Sequence, residues 1–241
     1  MNFENYLKLA ISAAEEAGVF LRENKTKKKV VNSELGRDIK LKIDQDCEKI
    51  IKQRLSSSGL SFIGEEYGAD IKSDSDYVWV VDPIDGTANY FREIDQCCTS
   101  IALMQGKKSI IGVIYNFNND ELYYASKDKG AYLNHKKIYV SEIADKNRAS
   151  LITGFPASES VNSSISFLED LSQWKKVRMF GSAALSCAYV AAGKCDYYSE
   201  KGVYLWDFAA GICLIEEAGG QANYKKIDSE RYELKFSNNL L

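Results

Sequence analysis

Histidine and proline are nearly missing from this sequence: its 241 residues hold one His and two Pro. A Ser-His-Asp or Cys-His mechanism would rest on His135 alone, and no G-x-S-x-G elbow supports one. His135 falls in Leu133-Asn134-His135-Lys136, where turn duty is the expectation, because histidine tolerates left-handed backbone better than most residues. The few prolines and the absence of a low-complexity tract leave no flexible linker. There is no basic excess either. The formal charge is −3, which argues against duplex nucleic acid as a partner. No apolar run reaches the ~20 residues that a bilayer span needs. Glu4, Lys8, Glu15 and Glu16 break the N-terminal apolar pattern, so neither a signal peptide nor a membrane partner is expected. The six cysteines (47, 97, 98, 187, 195 and 213) contain no C-x-x-C pair. That argues against a zinc ribbon and fits the reducing cytoplasm.

What is present is apolar side chain, 45% of the residues, enough for one large core or two smaller ones packed together. Leu7, Ala10, Ile11, Ala14, Ala17 and Leu21 recur at helical steps and predict an amphipathic helix over residues 3–23. The basic run Lys25 to Lys29 reads as a solvated loop, with phosphate binding as the alternative. A second helix has Asp44 near its start and Cys47, Ile50, Ile51 and Leu55 on one face, so Asp38 and Asp44 lie on an extended segment leading into it. Leu60–Ile63 and Tyr77–Val81 are strands by composition. Thr99–Met104, Ile110–Asn116, Leu122–Ala125 and Ile138–Val140 read as an antiparallel meander. From about residue 149 the style changes to alternation. Ser150–Thr153, Val177–Phe180, Asp196–Ser199, Ala222–Tyr224 and Leu234–Phe236 are predicted strands. Helices are predicted over 160–171, from Gly181 to about Ala192, and from Trp206 to Gly219. This divides the chain into an α+β part, 1–145, with an antiparallel sheet and most of the acids of interest, and an α/β part, 146–241, that supplies Asp207.

Two of the apolar strands run straight into carboxylates. Tyr77–Val81 leads into Asp82-Pro83-Ile84-Asp85-Gly86-Thr87, and Leu60–Ile63 leads into Gly64-Glu65-Glu66. Taken singly, each is either a surface turn with solvated acids or a site with a positive partner; two strands with the same ending favour a shared site, and hard divalent cations prefer carboxylate and carbonyl oxygen. Pro83 stiffens the turn, Gly86 allows close backbone approach and Thr87 offers a hydroxyl. Asp207 is either a helix cap or a further ligand, and Ala209-Ala210-Gly211 behind it permits close packing. Glu65, Asp82, Asp85 and Asp207 with the Ile84 carbonyl make an all-oxygen set, which selects Mg²⁺ or Mn²⁺ over zinc. Without a cation such acids would repel and raise one another's pKa. Two cations roughly 3.5–4 Å apart would form a site for phosphoester hydrolysis. Backbone N–H groups at Gly86-Thr87 and at Gly181-Ser182-Ala183, if both turns open helices, would receive a phosphate. Thr87 would orient the attacking water, with Asp44 accepting its proton. A covalent phospho-aspartate of the D-x-D-G-T kind is disfavoured, because Asp82 and Asp85 are three apart and such residues face opposite sides of a regular strand.

In its motifs the chain resembles the inositol monophosphatase family. The matching stretches are Gly64-Glu65-Glu66, Trp79 to Thr87, and Trp206-Asp207-Phe208-Ala209-Ala210-Gly211 continuing to Glu217-Ala218-Gly219-Gly220, in the family's order. The resemblance implies an α+β fold, a layered α-β-α-β-α sandwich also seen in fructose-1,6-bisphosphatase, and a homodimer. It implies hydrolysis of a small-molecule phosphate monoester that depends on Mg²⁺, as two or three ions, and is inhibited by lithium. By motif, Glu65, Asp82 and the Ile84 carbonyl would hold the first metal, and Asp82, Asp85 and Asp207 the second. Thr87 with Asp44 would activate the water, with Glu65 counted among the catalytic groups. Asp85, Gly86, Thr87, Gly181, Ser182, Ala183 and Glu200 fall where the family meets phosphate and the hydroxylated part of its substrate. Departures are Asp38-Ile39-Lys40-Leu41, where the family more often has Val-Thr after the first acid, and a short connection from Glu65 to Asp82. The expectation is a cytoplasmic phosphatase of a polyol or sugar phosphate, working by direct attack of a metal-activated water. A 3′(2′),5′-bisphosphate nucleotidase, a fructose-1,6-bisphosphatase or histidinol-phosphatase, and a non-catalytic metal- or phosphate-binding protein on the same fold are the alternatives.

Overall fold

The computed structural model of the protein describes residues 3–35, 38–72, 75–155 and 165–241. The amphipathic N-terminal stretch forms α1 (Phe3–Asn24), whose buried stripe is Ala10, Ala13, Ala14, Ala17 and Leu21. A hairpin of β1 (Val31–Leu35) and β2 (Asp38–Leu41) leads into α2 (Lys42–Leu55). Next come β3 (Ser61–Gly64), β4 (Gly68–Asp70), β5 (Tyr77–Asp85) and the short α3 (Thr87–Phe91). The chain continues through β6 (Cys98–Gln105), β7 (Lys108–Asn116), β8 (Glu121–Ser126), β9 (Ala131–Leu133) and β10 (Lys136–Ile138). These strands from β3 onward form one eight-stranded sheet, ordered β10-β9-β8-β7-β6-β5-β3-β4.

The second half opens with β11 (Ser150–Thr153), α4 (Ile165–Leu171), β12 (Lys176–Arg178) and α5 (Ala183–Ala191). It closes with β13 (Tyr197–Tyr204), α6 (Leu205–Glu217), β14 (Gln221–Lys226) and β15 (Arg231–Ser237). Its five strands are ordered β12-β11-β13-β15-β14.

Side-chain alternation on the central strand β5 explains the layering. Val81 joins Leu21, Ile51 and Val113 in a core beneath α1 and α2. Val80 joins Leu185, Phe208 and Ile212 of α5 and α6 in the core between the sheets, together with Tyr198 and Phe236 from the smaller sheet. A strand buried on both faces needs a continuous apolar run rather than an alternating one, which is what Tyr77–Val81 provides. Leu171 of α4 packs with Leu151, Trp174 and Val177 on the small sheet's far face. The order of layers is α-β-α-β-α.

The predicted helices and most predicted strands are present, and the differences have local causes. β4 is exposed at every residue, so it carries no apolar signal and is defined by pairing with β3 alone. Because β4 folds back along the outer edge, the chain enters β5 parallel to β3, and the large sheet is mixed rather than antiparallel throughout. Asn134 and His135 both have positive φ, 46° and 67°, and form the two-residue turn that pairs Leu133 with Lys136. That turn shifts the strand expected at Ile138–Val140 to Lys136–Ile138. β13 continues past Ser199 to Tyr204, so Glu200 lies within a strand. Residues 160–164 of the predicted fourth helix lie outside the described residues. The basic run is not wholly solvated: Lys25 Nζ reaches Asp95 at 2.5 Å and Asn118 at 2.9 Å, and Lys29 Nζ reaches Glu93 at 3.3 Å. Two of its lysines thus fasten the loop that follows α3. No helix among the described residues is long and apolar enough to cross a membrane.

α6 lies almost against the backbone of β7. A Cβ on Gly112 would come within 2.2 Å of the Ala210 carbonyl oxygen, and one on Gly211 within 2.4 Å of Cys187 Cβ. Gly112→Ala is expected to cost about 3 kcal/mol in urea unfolding, since backbone cannot yield as a side chain can. At Gly106, where φ is +58° and nothing lies within 4 Å, the same change is expected to cost only about 1–2 kcal/mol. Equal losses at the two positions would contradict the close α6–β7 contact.

Candidate active site

The parallel register of β3 and β5 sets Gly64 beside Val81. The next residue on each strand is an acid, so Glu65 arrives next to Asp82, and its N–H donates to the Val81 carbonyl at 3.3 Å. Between β5 and β6 the register slips: Asp82 pairs with Ser100 and Asp85 with Cys98, three steps against two. The extra residue is a bulge, and Pro83, with no N–H for the ladder, sits inside it. The bulge returns to one side two acids that a regular strand would separate. The regular-strand geometry used against a D-x-D-G-T site therefore does not apply here, while the grouping of Asp82 with Asp85 in one ligand set agrees with the bulge. Asp82, Asp85 and Asp207 each offer a carboxylate oxygen within 4.8 Å of the others.

Each acid is fixed by backbone donors. Asp82 Oδ1 accepts the Ile84 N–H at 3.0 Å. Asp85 accepts the Ser182 hydroxyl, the Ala183 N–H at 3.2 Å and the Ala184 N–H at 2.7 Å. Of the Gly181-Ser182-Ala183 turn expected to face a phosphate, the Ser182 hydroxyl and the Ala183 N–H thus meet Asp85 here, and Ser182 is the buried N-cap of α5. Asp207 is the third residue of α6 and its Oδ2 accepts the Tyr204 N–H at 2.7 Å. Asp44 repeats that geometry on α2, accepting the Leu41 N–H at 2.6 Å. Both are half of a capping box, the acid reaching back to the N-cap amide. Their place in the first turn also sets their charge at the positive end of the helix dipole.

Thr87 Oγ1 donates to the Ile84 carbonyl at 2.9 Å and lies 3.5 Å from Asp44 Oδ1, the second contact at the outer limit of a hydrogen bond. Gly86 has φ +89°, and a Cβ there would come within 2.9 Å of the Gln96 carbonyl and 3.1 Å of the Gly181 carbonyl. Gly181 has φ +69° and lies against Asn89. Glu200, half-buried in β13, accepts the Tyr198 hydroxyl at 2.9 Å and covers Gly154, where a Cβ would meet its Oε1.

Several supporting residues went unnoticed in the sequence. Asn89 Nδ2 donates to the carbonyls of Gln96 and Phe180, each at 2.7 Å, tying α3 to the entry of α5. Thr99 Oγ1 donates to the Pro83 carbonyl at 3.0 Å and holds the bulge. Neither stands in a motif; the only signal at Thr99 is a hydroxyl inside an apolar strand. Glu48, fully buried on α2, had a signal, its position four residues after Asp44.

Burial, then repulsion from Glu65, Asp85, Asp207 and Asp44, pushes the Asp82 carboxyl well above the usual carboxylate range. Burial, then Asp85 and Glu65, does the same to Asp207 against the opposing Tyr204 hydrogen bond. Asp85 is raised by burial and held back by Ser182, Ala184 and Ala183. Burial with a smaller push from Asp85 raises Glu200 to about 7. Among the described residues no Lys, Arg or His forms an ion pair with Asp82, Asp85 or Asp207. An all-oxygen set of two buried and one half-buried carboxylate fits a hard divalent cation.

A layered α-β-α-β-α sandwich with an acid cluster at the C-terminal ends of parallel strands describes a class of metal-binding α+β protein. The profile of the inositol monophosphatase family matches residues 2–227, and the chain belongs to that family. It is 37% identical over 235 residues to the Nus factor SuhB of Xylella fastidiosa, covering 94% of this chain and 85% of that one. It is 33% identical over 226 residues to the fructose-1,6-bisphosphatase/inositol-1-monophosphatase of Aquifex aeolicus, covering 91% and 85%. The solved inositol monophosphatase of Anabaena superposes with a TM-score of 0.86 at 30% identity, covering 100% of this chain and 93% of that one.

The raised carboxyls predict how stability depends on pH. A folded-state pKa above the unfolded value near 4 means that the folded protein binds more protons, so stability falls as pH rises through that window. The cation-free protein is expected to melt at a lower temperature at pH 7.5 than at pH 5.5. Millimolar Mg²⁺ should raise the Tm more at pH 7.5 than at pH 5.5, and Asp82→Asn should flatten both effects. An equal Mg²⁺ shift at the two pH values would contradict this account.

Proposed function

We propose that the protein is a Mg²⁺-dependent phosphomonoesterase acting on a small polyol or sugar phosphate, of the inositol-1-phosphate kind. The observation that carries this reading is the convergence of Asp82, Asp85 and Asp207 within 4.8 Å, in a member of this family. Those three acids, with Glu65 and the Ile84 carbonyl, would hold the cations, two or three Mg²⁺ with Mn²⁺ as a substitute. Bound there, the ions supply Lewis-acid polarisation of phosphoryl oxygen and a lowered pKa for water. Thr87 positions the attacking water, and Asp44, 3.5 Å from the Thr87 hydroxyl, takes the proton. The Gly86 and Thr87 amides receive the phosphate, and the left-handed Gly86 lets the backbone come close. Asp85, Gly181, Ser182, Ala183 and Glu200 orient the hydroxylated remainder. Glu200, with a carboxyl raised to about 7, changes charge near neutrality and so switches between accepting and donating toward a sugar hydroxyl. Attack by water needs no covalent intermediate on the enzyme.

The same reading carries a homodimer, inhibition by lithium and a cytoplasmic setting; the six buried free thiols support a reducing compartment. It keeps residues 1–145 as the part with most metal ligands and 146–241 as the part supplying Asp207 and substrate contacts. The relative named as a Nus factor favours a second reading, a Nus-factor role that does not require turnover.

Phosphate release separates the readings. Inositol-1-phosphate is expected to be hydrolysed with Mg²⁺ and not with EDTA, ahead of fructose-1,6-bisphosphate and 3′-phosphoadenosine-5′-phosphate. Asp82→Asn, still folded by circular dichroism, should lose at least about a hundredfold of that rate, more than outer supporting residues cost. Undiminished release in Asp82→Asn defeats the proposal, and no release on any substrate favours the non-catalytic role.

A further inference from the structure

We propose that Glu48 is a positioning residue that presets the Glu65 turn for its cation, an inference that rests on the metal-dependent reading of the site. Glu48 is 0% exposed and sits on α2 one turn beyond Asp44, so one helix face presents both acids. Its carboxylate accepts the Glu66 N–H at 2.8 Å and the Tyr67 N–H at 2.9 Å. On the other side of Glu65 it lies on Gly64, where a Cβ would come within 2.3 Å of Oε1. Only glycine leaves room for it. Glu48 therefore grips the chain immediately before and immediately after Glu65, while the Glu65 N–H is tied to the Val81 carbonyl at 3.3 Å. The pairing of Gly64 with Gly68 closes this turn, but β4, the strand that follows, is exposed at every residue and adds no apolar burial. The buried carboxylate with its two charge-assisted hydrogen bonds fixes the amides inside the turn. Because Asp44 and Glu48 share a rigid helix, the Thr87–Asp44 pair and the Glu65 turn are held in one frame.

Glu48→Gln keeps the volume and one acceptor oxygen but turns an NH₂ toward one of the two amides. Calorimetric titration of the full chain with Mg²⁺ is expected to show a Kd raised roughly tenfold, as for other residues that orient metal ligands. Glu65→Gln should also raise the Kd, and Glu48→Gln should add little on top of Glu65→Gln, because it acts through that residue. A lower Tm with an unchanged Kd, or two effects that multiply in the double variant, would overturn the proposal and leave Glu48 a purely structural acid. If Glu48→Gln does not fold, amide exchange of the wild type decides. Slow exchange of the Glu66 and Tyr67 amides without Mg²⁺ supports presetting, and exchange that slows only when Mg²⁺ is added overturns it. Failure of the wild type to release phosphate from inositol-1-phosphate would remove the phosphatase reading and leave the Kd cycle readable.

Discussion

Like charge forced together is the constraint on which this structure turns. The buried Asp82 and Asp85 converge with the half-buried Asp207, and Glu65 adds its repulsion to both Asp82 and Asp207. Oriented dipoles counter this, and among the described residues no basic side chain pairs with Asp82, Asp85 or Asp207. Asp44 and Asp207 stand in the first turns of α2 and α6, and Asp85 accepts the leading amides of α5. Helix N-termini favour negative charge, so three helices point their positive ends at the acids. That arrangement reduces the repulsion without removing it, and burial together with what is left keeps the carboxyls raised. A cation would take up the remainder.

The rest of the architecture serves those helix ends. α6 can deliver Asp207 beneath the large sheet because Gly112 and Gly211 carry no side chain where β7 and α5 press against it. α5 can meet Asp85 because Gly181 turns the chain with φ +69° and Asn89 secures the carbonyl before it. The two sheets share one core through α5 and α6. A shift of either helix would move the Asp85 donors or Asp207 itself, so packing and site geometry are one problem.

Much of this was legible in the residues. Two apolar strands ending in acids, at Gly64-Glu65 and at Asp82–Thr87, favour a shared site over two solvated turns, and the sheet register does place Glu65 beside Asp82. The small residues after Asp207 signalled close packing, and that packing is found. Other features were hidden for physical reasons. A bulge is a property of two strands together, so the 82–85 sequence alone could not reveal that Asp82 and Asp85 share a side. β4 lacks any burial pattern because its order comes from backbone pairing. The role of Ser182 depends on Asp85, 97 residues away, a distance that no local pattern spans. Glu48 stands in no motif, and its partners are backbone amides that leave no mark in the sequence.

Family membership is consistent with this account and does not by itself say what occupies the pocket. A crystal grown with Mn²⁺ tests that directly through the anomalous difference map. The account predicts a peak among Asp82, Asp85 and Asp207, with Asp82 and Asp85 on the same side of β5. A map with no peak there, or with Mn²⁺ only at surface acids, would contradict the claim that a cation balances the converged charge.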